Sequence, residues 1–207
     1  MNDGLVTIDR VWAMPSGNTF SIKPIKELVE KCVLAVDVCN GGCIIDPFAN
    51  ESSYGTITND LNPDMPTDYH MDALEFLRTR GDEEADLVLY DPPYSITQAS
   101  TLYKSYGKKR LEVNVANMRY WKLVKDEIAR VTKPCGVVLS CGWNTNGMGK
   151  GRGFTLRRIR IVAHGGSKND TLVTIEEKVG HCQKVQPYEL TFLGSKELFD
   201  QYDWSEE

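Results

Sequence analysis

No apolar run in this chain approaches the roughly 18 residues that a membrane span requires. The N-terminus also shows no basic stretch followed by an apolar core, so neither a spanning helix nor a secretory signal is expected. The six cysteines (Cys32, Cys39, Cys43, Cys135, Cys141 and Cys182) form no Cys-x-x-Cys pair. Cys39, Cys43 and the His181-Cys182 pair match no common zinc spacing, and no metal is expected. Several cysteines sit in apolar, strand-like segments where Cys acts as a small hydrophobe, so they read as reduced and mostly buried. Internal repeats and low-complexity stretches are missing. So is a Gly-x-Ser-x-Gly elbow, which leaves His164-Gly165-Gly166 without the nucleophile that a hydrolase's oxyanion loop would serve. Gly165-Gly166 reads instead as hairpin turn chemistry. What remains is a soluble, intracellular protein of 207 residues, long enough for one domain over 1–207 with its own core.

The net charge of −5 argues against a polyanionic partner, but its distribution argues for one. Between Lys104 and Arg160 there are 14 Lys/Arg against 3 Asp/Glu, leaving 10 positive and 26 negative residues elsewhere. Such segregation is the footprint expected where phosphates are neutralised. Lys122, Lys125 and Arg130 read equally well as a solvated helix face. Lys104, Lys108, Lys109, Arg110, Lys150 and Arg152 are the candidate nucleic-acid contacts. The stretch from Lys196 is acidic and expected to fray.

Short apolar runs alternate with helical patterns, which predicts an α/β fold with a mostly parallel sheet. Expected helices are Ile22 or Pro24 to Lys31 with Ser21 as cap, Asp72 to Arg80, and Asn117 to Thr132 closed by Pro134 and Gly136. Expected strands are Gly42 to Asp46, Thr56 to Asp60, Leu87 to Tyr90 and Val137 to Cys141. Phe154 to Val162 and Thr171 to Lys178 should form an antiparallel hairpin at the end of the sheet.

Asp91-Pro92-Pro93-Tyr94 directly follows the strand-like run Asp86-Leu87-Val88-Leu89-Tyr90. In an open α/β sheet the carboxyl ends of strands are where ligands bind. Consecutive prolines fix φ and remove donors, so a stiff turn presents a carboxylate, free carbonyls and an aromatic ring together. Those groups suit a planar ring bearing an exocyclic amine, and adenine fits.

The tetrapeptide resembles the catalytic motif of S-adenosylmethionine-dependent amino-methyltransferases, and its Asp form resembles the DNA adenine-N6 group. Ile44-Ile45-Asp46-Pro47-Phe48-Ala49-Asn50 is similar to that family's first cofactor motif. Phe20-Ser21-Ile22-Lys23-Pro24-Ile25 resembles the segment that packs against the methionine moiety, with Lys23 facing the cofactor carboxylate. Asp60 stands where such folds use an acid for the ribose hydroxyls. Asp72 opens a helix as an N-cap, and the resemblance also places it near the cofactor's adenine amine. Ala129 to Gly136 resembles the helix end before the family's fifth strand, with Cys135 where Gly is common.

The resemblance therefore implies a Rossmann-like class I methyltransferase fold. It implies catalysis by Asp91, Pro92, Pro93 and Tyr94, with Tyr94 stacked on the base. S-adenosylmethionine would be held by Phe20, Lys23, Asp46, Pro47, Phe48, Asn50, Asp60 and Asp72. The partner would be DNA, with RNA as the other candidate, and the setting a bacterial, phage or mobile-element cytoplasm. Cytosine-N4 enzymes of this kind tend to start the tetrapeptide with Ser and protein-glutamine enzymes with Asn, so Asp91 favours adenine.

The chain also departs from the pattern. Only nine residues separate Asp46 from Thr56 and eleven separate Asp60 from Asp72, so the first two crossover helices should be short or absent. The loop after Asp46 carries Ala49, Asn50, Ser52 and Ser53 in place of Gly-x-Gly. With no long insertion for a recognition domain, readout falls to Ser95–Ala116, Asn144–Gly153, the C-terminal region, or a second subunit of a homodimer.

Overall fold

Seven strands form a single sheet in the order β1-β6-β7-β5-β4-β2-β3. They are β1 (Thr7–Trp12), β2 (Ile44–Asp46), β3 (Ile57–Thr58), β4 (Ala85–Tyr90), β5 (Thr132–Gly142), β6 (Phe154–Ala163) and β7 (Thr171–Lys178). This computed structural model describes residues 5–37, 41–106, 118–166 and 168–180. β3, β2, β4 and β5 run parallel, β7 is antiparallel to both β5 and β6, and β1 pairs parallel with β6. The fold is the expected Rossmann-like α/β arrangement with one reversed strand. β6 and β7 are the predicted hairpin, but they do not end the sheet: β7 is inserted beside β5, and β1 forms the outer edge.

Helices cover both faces. α1 (Lys23–Asp37) buries Ile25, Leu28, Val29, Cys32 and Val36, a helical spacing that lays one stripe against Ile44, Leu87, Leu89, Leu139 and Val173. On the other face, α4 (Met118–Val131) presents Tyr120, Val124, Ile128 and Val131 to Val88 and Val138. α2 (Ala73–Arg78) and α3 (Ile96–Ser105) complete that layer. α1 runs beyond the expected Lys31. Ser21 lies in a single 3-10 turn, Thr19–Ser21, where its hydroxyl donates to the Asn18 carbonyl, so it is not the helix cap. No described helix is long and apolar enough to cross a membrane.

The crossovers are as short as the spacing predicted. β2 reaches β3 with no helix, and β3 reaches β4 through the six-residue α2. The β5-to-β6 connection also lacks an α-helix and is tied down by side chains. Glu176, buried on β7, accepts the backbone N–H of Met148 and, at 2.9 Å, that of Gly149. Lys125 donates to the carbonyls of Asn146 and Gly147. A Cβ at Gly147 would collide with the Glu176 carboxylate, so only glycine fits there. Asn144 to Gly153 therefore leads from the ligand edge of β5 to the opposite end of β6, and only its start is available at that edge.

Cys135 is disulfide-bonded, which corrects the expectation of reduced thiols, while Cys32, Cys43 and Cys141 are free. Its φ of 64° is a left-handed conformation that glycine adopts more readily than other residues. Cys39, His181, Cys182 and the tail from Lys196 lie outside the described residues.

Removing the Glu176 carboxylate leaves the buried N–H of Met148 and the partly buried N–H of Gly149 without acceptors. Glu176→Ala should lower unfolding stability by about 2–4 kcal/mol in urea titration, and Glu176→Gln by less. Equal losses for both would show that packing, not the carboxylate, holds the crossover.

Candidate active site

Parallel strands β2, β4 and β5 bring their carboxyl ends to one edge, where chain reversals expose backbone groups to a ligand. Asp46 ends β2, Asp60 follows β3, and Asp91 follows β4. Asp46 is fully buried. Its Oδ1 accepts the Phe48 N–H at 3.2 Å, while Oδ2 has no hydrogen-bond partner. Burial pushes its carboxyl up to about 8; the Phe48 N–H opposes this and the nearby Asp91 carboxylate reinforces it.

The turn after Asp46 works without its expected glycines. Asn50 adopts φ 49°, a left-handed conformation that Asn tolerates better than most residues. Its N–H donates to Asp60 Oδ2 at 3.0 Å, and Asn62 N–H donates to Oδ1 at 2.7 Å. Buried Asn59 braces the neighbouring loops, donating to the carbonyls of Pro47 and Met71 and accepting the Met71 N–H. Pro47, Phe48, Asp60, Leu61, Pro93 and Tyr103 line a small, partly open cleft.

Asp91 is half-buried. Tyr94 donates its hydroxyl to Asp91 Oδ1 at 2.6 Å, and Thr19 Oγ1 lies 3.1 Å from the Tyr94 oxygen. Burial pushes the Asp91 carboxyl up to about 6 against the pull of Tyr94 and Thr19. The Tyr94 ring packs into the α1-side core and meets exposed Trp143 edge-on at 5.9 Å. It is turned inward here, rather than displayed as the flat platform that the resemblance implied.

Asp72 departs further from expectation. Its Oδ1 caps α2 through the N–H groups of Leu74 and Glu75, and Oδ2 accepts the hydroxyls of Tyr103 (2.7 Å) and Tyr120 (2.8 Å). A carboxylate offers about four acceptor positions, so none is left for an adenine amine. Asp72 joins α2, α3 and α4 and shapes the cleft through Tyr103. Phe20 is buried at the 3-10 turn, edge-on to Tyr54, and Lys23 is exposed at the start of α1.

The basic segment divides in two. Arg152 is committed to Asp126 at 2.7 Å and to the Met148 carbonyl, which removes it from the free nucleic-acid contacts. Arg130 bridges Asp82 and Glu127, Lys133 pairs with Asp86, Arg157 with Glu177, and Arg160 with Asp9. Lys104 and Lys150 are exposed, whereas Lys108, Lys109 and Arg110 lie outside the described residues.

Sequence reading missed β1, α3 and the roles of Thr19, Tyr103 and Tyr120. Only α3 carried a local sign, the capping box of Ser95 with Gln98. His164 is a structural residue: its Nδ1 lies 2.8 Å from the Ala13 carbonyl and its Nε2 2.9 Å from Thr171 Oγ1.

No protein-family profile matches the chain, and no curated protein matches it in sequence. Among solved structures it is similar to the 1,6-didemethyltoxoflavin-N1-methyltransferase of Burkholderia thailandensis, with bound 1,6-didemethyltoxoflavin and S-adenosylhomocysteine. Identity there is 10% and the TM-score 0.48, over 73% of this chain and 78% of that one. TrmN from Thermus thermophilus is 18% identical with a TM-score of 0.45, over 73% of this chain and 48% of that one. The N-methyltransferase NodS from Bradyrhizobium japonicum is 10% identical with a TM-score of 0.46, over 76% of this chain and 98% of that one. At 10 to 18% identity no residue role passes from those proteins to this chain.

The raised carboxyl of Asp46 has a consequence for stability. Between its ordinary value of 3.8 and about 8 the folded state holds a proton that the unfolded chain releases, so stability from this group is lost as pH rises through about 8. Asp46→Asn, which stays neutral, should therefore gain melting temperature relative to wild type between pH 5 and pH 9. A constant difference across thermal melts over that range would remove the buried charge as the cause.

Proposed function

We propose that the chain is an S-adenosylmethionine-dependent methyltransferase acting on the N6 amine of adenine in DNA, on a base flipped from the duplex or already single-stranded. The observation that carries this reading is Asp91. Its carboxylate follows the central strand in a stiff Pro-Pro turn, with Oδ1 held by the Tyr94 hydroxyl. It is thus an oriented acceptor at the sheet edge where substrates lie.

The cofactor reading is supported by the neighbouring groups. The small cleft beside Asp60 is assigned to the nucleoside end, with Asp60 for ribose hydroxyls and Phe48, Leu61 and Pro93 as apolar walls. The orphaned Asp46 Oδ2 suits a cationic amine, which would restore its missing partner and keep it charged. When bound, S-adenosylmethionine supplies an electrophilic methyl group on a sulfonium.

Adenine's amine is a poor nucleophile because its lone pair is delocalised into the ring. Asp91 and the Pro92 carbonyl accept its N–H bonds, localise that pair, and leave Asp91 to take the proton shed as the N–CH3 bond forms. A carboxyl titrating near 6 is ionised for this task at neutral pH. Orientation and preorganised acceptors account for most of the acceleration. The first residue of the tetrapeptide favours adenine, and exposed Lys104 supplies positive charge for the phosphates of DNA.

Labelled S-adenosylmethionine should label N6 of adenine in unmethylated duplex or single-stranded DNA. Label on RNA or cytosine would reassign the acceptor, and cofactor binding without transfer to any of them would sink the reading. Asp91→Ala should reduce kcat by at least about 100-fold with the cofactor Kd within about threefold. Lost cofactor binding or a lost fold would make Asp91 structural.

A further inference from the structure

We infer that Thr19 is a positioning residue for catalysis, acting on Asp91 through the Tyr94 hydroxyl. The inference rests on Asp91 being the acceptor of the substrate amine. Thr19 lies in the 3-10 turn before α1, far in sequence from the tetrapeptide, and none of the expected site residues includes it. Its Oγ1 is 3.1 Å from Tyr94 Oη, which is 2.6 Å from Asp91 Oδ1.

Proton inventory fixes the direction of this relay. An ionised carboxylate has no proton to give, so Tyr94 donates to Asp91. A phenol has one proton, and Tyr94 has spent it, so Thr19 must be the donor to the Tyr94 oxygen. A donor on the phenol oxygen polarises its O–H and strengthens the bond to the carboxylate. Thr19 thereby helps to hold Oδ1 in place and to keep Asp91 charged in a half-buried site, leaving Oδ2 for the substrate amine.

Burial limits the alternatives available to Asp91. Among the described residues, the titratable groups facing it are Asp46 at the end of β2, Cys141 near the end of β5, and Tyr94 on its own loop. Asp46 is a like charge when ionised, Cys141 is pushed well above its ordinary range, and Tyr94 is pushed upward too. None of them supplies a cation. Among the described residues, the hydrogen bond from Tyr94, backed by Thr19, is what favours the charged carboxylate. Thr19 also adjoins buried Phe20, so the relay joins the segment expected at the methionine end of the cofactor to the catalytic turn.

The experiment pairs Thr19→Val, which keeps the shape and loses the hydroxyl, with Thr19→Ser, which keeps the hydroxyl. The first readout is the Asp91 carboxyl titration by 13C NMR on aspartate-labelled protein without cofactor or DNA, assigned with Asp91→Asn. The Asp91 titration should move to higher pH in Thr19→Val and return to the wild-type position in Thr19→Ser. The second is methyl transfer. With one neutral hydrogen bond lost, kcat near pH 6 should fall about threefold to tenfold in Thr19→Val, with the KM for DNA little changed. The acid limb of the pH profile should move upward by the same amount as the NMR titration.

A Thr19→Val titration that coincides with wild type overturns the relay. So does a Thr19→Ser variant that behaves like Thr19→Val. Should Thr19→Val fail to fold, Thr19→Ala gives the same decision, because it too removes the hydroxyl and must raise the Asp91 titration. The NMR readout needs no substrate, so it decides the relay even if wild type transfers methyl to nothing, an outcome that would sink only the proposed function.

Discussion

Negative charge crowded at one end of a parallel sheet is the constraint on which this molecule turns. Asp46 and Asp91 lie close enough for the Asp91 carboxylate to help raise the proton affinity of Asp46, and among the described residues neither has a cation beside it. Burying such groups costs free energy unless hydrogen bonds or a ligand compensate. The compensation is uneven. Asp91 receives the Tyr94 hydroxyl, Asp60 receives two backbone N–H groups, and Asp46 Oδ2 receives nothing. That deficit is eased at neutral pH by the proton the buried carboxyl retains.

Much of the architecture was legible because the signals were local. β4 and β5 follow from unbroken apolar runs, and α4 from a periodic stripe. The missing crossover helices follow from the count of residues between Asp46 and Thr56. β1 was not legible: its residues alternate between partly covered and exposed positions and carry Asp9 and Arg10, so nothing local distinguishes them from a loop. Its position depends on pairing with β6, a partner far away in sequence. The same reason hid Thr19 and the two tyrosines on Asp72. A hydroxyl's partner 75 residues away leaves no trace in its own neighbourhood.

The basic segment shows how composition misleads when fold is ignored. A local excess of arginine and lysine reads as a phosphate-binding surface, yet Arg130, Lys133, Arg152, Arg157 and Arg160 pair with acids from elsewhere in the chain. Much of the segregation in sequence is undone in space. The residual field for a polyanion is correspondingly smaller and concentrated on the exposed lysines that remain.

The edge position of β1 bears on how the protein is made. Thr7 pairs with Arg158 and Trp12 with Ala163, so β1 has no neighbour in the sheet until the distant β6 is in place. Closing so long a loop is entropically slow, and strands of high contact order join late. During that interval Ile8 and Trp12 accompany an unpaired strand edge, which leaves β1 open to misassociation while the rest of the sheet forms.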